Sequence, residues 1–359
     1  MALKLDDYRL LGRSGLRVSP ICLGTMTFGA GSWGSTEEEA KQVVDAYIDR
    51  GGNFIDTANI YGQLGQSETI LGRAVQGRPR DRLVIATKYS LSMVRDDPNA
   101  SGNHRKNMVR AVEDSLQRLK TDYIDLYYLH VWDSRTPVDE ILRAFDDLVR
   151  AGKIVYIGIS DTPAWQVARM QAIADLRGWS QFCALQIAYS LVERTVEHEL
   201  IPMAAEMGLG VCPWSPLAGG ILTGKFSKTD IVPRDASPRD RSSIKSRKDA
   251  VIMSGQLTEK ALAIADLVVE IARQTGKTPA QVAIAWTLVN RAVTAPIIGV
   301  RNLAQLNENL GGLEVDLSTE QLVRLAAVSS VPPVFPGPML SGPMTAALFG
   351  VSRVQERAR

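Results

Sequence analysis

Short apolar runs alternate with helix-period segments along most of this chain. From Pro20 to about residue 311 each unit is a run rich in β-branched residues, then a polar turn, then a stretch whose apolar positions recur at helical spacing. The runs predict strands at residues 21–24, 53–56, 83–88, 123–130, 154–160, 184–188, 210–214 and 294–299. Helix starts are signalled by Ser35 and Glu38 at capping-box spacing, and by Thr136-Pro137, Thr162-Pro163 and Thr278-Pro279, each a cap before an N1 proline. Gly52, Gly152, Gly208 and Gly276 follow the last periodic residues, where a left-handed cap favours glycine. Alternation of strand and helix predicts a parallel α/β sheet, and eight strands predict its closure into a single (β/α)8 TIM barrel. An open doubly wound sheet is the runner-up. It loses because no Gly-x-Gly-x-x-Gly follows any of the strands.

Three segments stand outside this pattern. Residues 8–18 read as a β-hairpin around Ser14-Gly15 that plugs one end of the barrel. Residues 89–103 and 215–256 read as long loops after the third and seventh strands, on the face where barrel enzymes carry their chemistry. The tail from Ser329 has five prolines between Pro332 and Pro343. The expected organisation is therefore a barrel with its hairpin over residues 1–328 and a Pro-rich extension over 329–359.

Composition narrows the function classes. A hydrophobic fraction of 45%, a charged fraction of 22% and a net charge of +2 describe a globular protein with no general attraction to nucleic acid or to an anionic membrane. Cys22, Cys183 and Cys212 lie in apolar runs without a Cys-x-x-Cys pair, so they read as buried reduced thiols, and no metal is expected to be needed. Lys4, Asp6, Asp7 and Arg9 interrupt any signal-peptide core, and no stretch approaches the ~20 apolar residues of a membrane span. A cytoplasmic protein is expected.

The chemistry stands at the downstream ends of the strands: Asp56, Lys88, His130, Ser160, Gln186, Trp214 and Gly299, with Tyr61 just beyond Asp56. A lysine on a buried strand needs a counter-charge, and Asp56 on the adjacent strand can supply it. The ammonium is expected to pull the Tyr61 phenol below its usual value of about 10, making it a general acid, while His130 hydrogen-bonds a substrate oxygen. His104 and His198 read as solvated. Phe28, Trp33 and Trp132 read with equal weight as walls of a substrate cleft and as core packing. A Schiff-base aldolase using Lys88 is a rival from another reaction class.

With these residues in place the chain resembles the aldo-keto reductase family over nearly its whole length, with a weak motif similarity to a bacterial aryl-alcohol dehydrogenase-like branch. The stretch 51–62 (GGNFIDTANIYG) resembles the family's leading signature, and 85–88 (IATK) and 126–130 (LYYLH) resemble its lysine and histidine segments. The resemblance implies NADPH-dependent reduction of aldehydes or ketones, with catalytic Asp56, Tyr61, Lys88 and His130. It also implies cofactor contacts at Gly24, Thr25, Met26, Asp56, Ser160, Asp161, Gln186, Trp214, Ser215, Leu217, Gly219, Lys225, Gly299, Arg301, Gln305, Glu308 and Asn309. Two positions depart from the family pattern. Asp161 stands where many relatives have asparagine, and the eighth-strand motif lacks a lysine, which leaves Arg301 for the adenosine 2′-phosphate. The implied partner is a small carbonyl compound, with self-association into a homo-oligomer open. Because the family includes channel β subunits, a cofactor-bound redox sensor with slow turnover is the alternative function.

Overall fold

In the computed structural model, which describes residues 3–232 and 246–340 together with Met344, Ala347, Leu348 and Gly350, a short antiparallel hairpin precedes eight parallel strands. The hairpin strands are β1 (Arg9–Leu10) and β2 (Arg17–Val18). The parallel strands are β3 (Cys22–Gly24), β4 (Phe54–Asp56), β5 (Val84–Tyr89), β6 (Ile124–Leu129), β7 (Ile154–Ser160), β8 (Phe182–Ala188), β9 (Gly210–Trp214) and β10 (Ile297–Gly299). They lie side by side in chain order, and β10 returns to pair with β3. The last seam, between β9 and β10, is joined just ahead of β10. There Val211 N donates to Ala292 O (3.1 Å) and Thr294 N donates to Val211 O (2.8 Å). The result is the expected (β/α)8 barrel, nearly closed, with helices between successive strands.

The strands are mainly apolar because both faces are covered, and their polar residues gather towards the downstream ends, Asp125 of β6 excepted. One face packs against the helices, and the other fills the barrel lumen with Cys22, Phe54, Val84, Ala86, Leu126, Tyr128, Ala184 and Cys212. The hairpin closes the lower end of that lumen. Leu11 and Val18 are fully buried in the luminal cluster and Leu16 packs against it. Gly12 sits at φ +57°, and a Cβ there would lie 2.4 Å from Cys183 O and 2.5 Å from Gly208 O, so only glycine lets the plug seat. Gly158 is likewise enforced by contact, since its missing Cβ would fall 2.3 Å from the ring of Tyr128.

Local signals are displaced by a residue in several places. The first helix, Glu37–Asp49, is capped by a Thr36/Glu39 box and not by Ser35/Glu38. Pro137 and Pro163 are themselves the N-cap residues, because Thr136 bonds Asp133 and Thr162 bonds the Ser160 carbonyl. Thr278 caps as expected, with Pro279 first in the helix and Gln281 completing the box. Gly208 and Gly276 are left-handed caps, whereas at the first helix Gly51 takes the positive φ, and Gly52 makes room for the Tyr47 ring.

Of the two long loops, the first begins one residue later than expected and is tied down. Asn103 Nδ2 donates to Ser90 Oγ and to Val131 O (both 2.9 Å), and Asn103 N donates to Asp133 Oδ2 (2.7 Å). The second contains a helix, Arg247–Ser254, capped by Ser246. Its middle, residues 233–245, lies outside the described residues, as do parts of the Pro-rich tail. The tail leaves the helix Thr319–Ser329 beside the loop that follows β8, where Val334 N donates to His198 Nδ1 at 3.4 Å. Among the described residues no helix is long and apolar enough to cross a membrane.

Candidate active site at the barrel mouth

Parallel pairing sets Asp56 beside Ala86, so Lys88 stands two residues further along the neighbouring strand. The four-carbon lysine stem spans that offset. Lys88 Nζ donates to Asp56 Oδ2 (2.6 Å), to Thr57 O (2.9 Å) and to Tyr61 Oη (3.4 Å), and it lies 4.8 Å from the Tyr61 ring centroid. Lys88 is fully buried and Asp56 is 2% exposed. Burial pushes the lysine down, but the Asp56 carboxylate and Tyr61 outweigh it and the ammonium form is reinforced. This weakens the aldolase reading, which needs a free amine.

Tyr61 enters on a kinked turn after β4, made by Gly62 at φ +70° and closed by Gly65 at φ +96°. The direction expected for its phenol is overturned. Burial raises it above the usual tyrosine value, Lys88 pulls it down only in part, and Asp56 adds to the rise. Desolvation of a phenolate exceeds the help of one ammonium that already serves a carboxylate.

His130 follows β6, and its N–H donates to Tyr89 O (3.0 Å). The imidazole meets the Tyr61 ring edge-on, with centroids 5.8 Å apart and planes at 83°. Burial first, and then the Lys88 charge, lower its pKa to about 3, so the ring is neutral near pH 7. Nδ1 is buried without a hydrogen-bond partner among the described residues. A proton on this ring is disfavoured only in the folded state, so its contribution to stability is present above about pH 6.5 and is lost as pH falls towards 3. His130→Gln is expected to remove about 2 kcal/mol of the stability difference between pH 7 and pH 5. Urea midpoints of the two proteins at both pH values measure it, and parallel losses would contradict it.

Gln186 stands on β8, across the lumen from β4, and its Nε2 donates to the second Asp56 oxygen, Oδ1, at 3.0 Å. The carboxylate is thus held on both sides. This link was invisible in the sequence, where Gln186 suggested only a cofactor contact. Neither of the other histidines is merely solvated. His104 Nδ1 accepts from Asn107 N as the cap of the helix Arg105–Leu119, and His198 Nδ1 accepts from Val334 N.

The remaining candidates lie at strand ends or on the segments that follow them. Gly24 is tight against Ile297, Thr25 is buried with its hydroxyl turned to the Asp56 carbonyl, and Met26 is exposed. Ser160 closes β7, and Asp161, at φ +39°, accepts from Trp214 Nε1 at 3.1 Å. Ser215 (φ +53°) and Ala218 (φ +49°) add backbone strain to the turn with Gly219 (φ +68°), and Leu217 there is half-buried. Strain of this kind gathers where a loop is shaped for more than packing. Lys225, Arg301 and Glu308 are exposed and make no ion pair among the described residues. A Cβ on Gly299 would meet open space. Arg301 N donates to Gln305 Oε1, Asn302 caps the helix Leu303–Leu310, and Asn309 is buried on it.

Of the three aromatics, Phe28 is fully buried in the outer core and presents nothing to a cleft. Trp33 and Trp132 are half-buried. Trp132 packs edge-on against exposed Trp165 (centroids 5.6 Å apart), and its Nε1 is buried without a partner among the described residues. The three cysteines are free and buried, with burial pushing Cys183 and Cys212 up to about 12.

The mouth of the barrel thus holds an aspartate, a lysine, a tyrosine and a histidine within reach of one another. Residues 20–330 match the Aldo/keto reductase family, and the chain belongs to that family of oxidoreductases. It is 40% identical over 342 residues to the uncharacterized oxidoreductase YrpG of Bacillus subtilis, covering 92% of this chain and 97% of that protein. It is 38% identical over 323 residues to the norsolorinic acid reductase stcV of Emericella nidulans (87% and 78% covered) and 35% identical over 352 residues to the aldo-keto reductase ausK of the same species (93% and 84% covered).

Proposed function

We propose that this protein is an NADPH-dependent reductase of aldehydes or ketones, with Tyr61 as the proton donor. The observation that carries the reading is the chain Gln186–Asp56–Lys88–Tyr61, buried as far as Lys88 and ending at a half-buried phenol beside a neutral His130 whose Nδ1 has no partner among the described residues. Reduced nicotinamide, when bound, supplies hydride to the carbonyl carbon. Tyr61 Oη gives its proton to the oxygen that becomes the alcohol, and His130 donates a hydrogen bond to that oxygen from whichever ring nitrogen carries hydrogen. The ammonium of Lys88 then stabilises the phenolate until solvent returns the proton.

The chain's own residues suit the cofactor. Trp214, half-buried and oriented by Asp161, offers a ring face for a nicotinamide. The strained turn of Ser215 to Gly219 and exposed Lys225 suit a pyrophosphate, and Arg301 beside a capped helix start suits a 2′-phosphate. Ser160, Gln305, Glu308 and Asn309 complete the set. A cofactor-holding sensor is the weaker reading, since the four reacting groups are all present and connected.

The test is a fluorescence titration of the protein with NADPH and with NADH, followed by loss of reduced-nicotinamide absorbance over a carbonyl panel that includes norsolorinic acid, the compound for which a relative is named. Tight NADPH binding with turnover is expected. Binding with no turnover on any carbonyl would favour the sensor. In the same titration Arg301→Ala is expected to weaken NADPH binding by about 1.5–3 kcal/mol, some 10–10²-fold, and NADH hardly at all. Equal losses would move the 2′-phosphate contact elsewhere.

A further inference from the structure

The helix Gln66–Ala74 opens with two polar side chains turned away from water. Ser67 and Glu68 are both fully buried. The Ser67 hydroxyl donates to Thr25 O (2.7 Å) and lies 2.8 Å from Thr25 Oγ1 and 3.0 Å from Thr57 Oγ1. Glu68 accepts from Thr87 Oγ1 with one carboxylate oxygen and from Arg118 Nε (2.6 Å) with the other.

Thr57 directly follows Asp56, and Thr87 directly precedes Lys88. Side chains alternate across a strand, so while Lys88 points into the barrel mouth, Thr87 points outwards to this helix. The Thr57 carbonyl is itself a ligand of Lys88 Nζ. Gly65, one residue before the helix, ends the turn that presents Tyr61. One dipeptide therefore holds, from behind, the backbone bearing Asp56 and Lys88, and begins two residues after the Tyr61 turn. Packing alone does not explain its chemistry. A buried carboxylate with an arginine partner is no more stabilising than apolar side chains of equal volume, but its hydrogen bonds are directional.

We propose that Ser67 and Glu68 are positioning residues for the reduction: by fixing Thr57 and Thr87 they set how closely Lys88 Nζ approaches the Tyr61 hydroxyl, and so how strongly the ammonium acts on the phenol. The inference rests on Tyr61 being the proton donor.

The decisive variants are Thr87→Val, which keeps the shape and removes the bond to Glu68, and Thr87→Ser, which restores a hydroxyl. They are compared with Glu68→Gln in kcat, KM, NADPH Kd, melting temperature and the pH profile of kcat. Thr87→Val is expected to lower kcat about 10–10²-fold, with KM and NADPH Kd within about twofold of the parent. The alkaline limb of its profile should move to higher pH, because a phenol less assisted by the ammonium keeps its proton longer. Thr87→Ser should recover both the rate and the limb. Glu68→Gln, which leaves Arg118 without its counter-charge, should lose thermal stability as well. An unchanged kcat and alkaline limb in Thr87→Val overturns the proposal, and so does a loss that tracks melting temperature and is not recovered by Thr87→Ser. Tyr61→Phe separates the two levels. If it turns over like the parent, the proton-donor reading itself is wrong; if it is inactive while Thr87→Val behaves as the parent, only the positioning role falls.

Discussion

Tyr61→Phe is expected to reduce carbonyl turnover by about 10²–10⁴-fold, the usual contribution of a general acid, while NADPH affinity stays within about a factor of two. The phenol oxygen is the one polar atom of that side chain and sits at the end of the Asp56–Lys88 chain, 3.4 Å from Nζ. Removing it leaves the ring stacked edge-on with His130 and leaves the Lys88 bonds to Asp56 and Thr57 untouched. The loss should therefore appear in kcat and not in folding. Single-turnover reduction under saturating NADPH separates chemistry from product release, and a variant rate near that of the parent would remove Tyr61 from the reaction. Because burial raises this phenol above its ordinary value, the parent should hold its proton through neutral pH and lose activity only in the alkaline range.

Lys88→Met should be more damaging still, since it removes a charge from a place water does not reach. Asp56, 2% exposed, would keep among the described residues only the Gln186 amide as a side-chain partner. Leaving one member of a buried ion pair uncompensated costs about 3–5 kcal/mol, and urea unfolding should show a fall of that size. The double variant Asp56→Asn/Lys88→Met exchanges the pair for neutral groups and should recover most of the stability without recovering turnover. If the double variant is no more stable than the single, the fold does not depend on charge balance at this site.

Much of the barrel could be read from the chain because parallel strands covered on both faces need largely apolar runs, and every run here but the one ending at Trp214 stops at a polar or small residue. The residues that meet at the mouth were legible for the same reason, since they mark where the runs stop. What escaped depends on neighbours far away in sequence. Gln186 reaches Asp56 across 130 positions, which is foreseeable only once β4 and β8 are known to face one another across the lumen. The Tyr61 phenol shifted upward because segments distant in sequence pack around it and leave its phenolate poorly solvated, and no local pattern reports that packing. Phe28 lay one short turn past a strand end, where the chain can fold either over the mouth or back into the core, and it folds back. Ser67 and Glu68 belong to none of the strand-end motifs. Their burial follows from the strands behind them.

The seated hairpin makes the barrel blind at its lower end: Leu11, Leu16 and Val18 fill the space that a second opening would need. For anyone wishing to retrain this protein on new compounds, that asymmetry divides the molecule into a part to leave alone and a part to vary. Randomising the loop around Leu91 and Val94, both exposed, spares the glycine-locked seat under Gly12 and the luminal packing above it. A library confined to that loop can then be large while most of its members still fold.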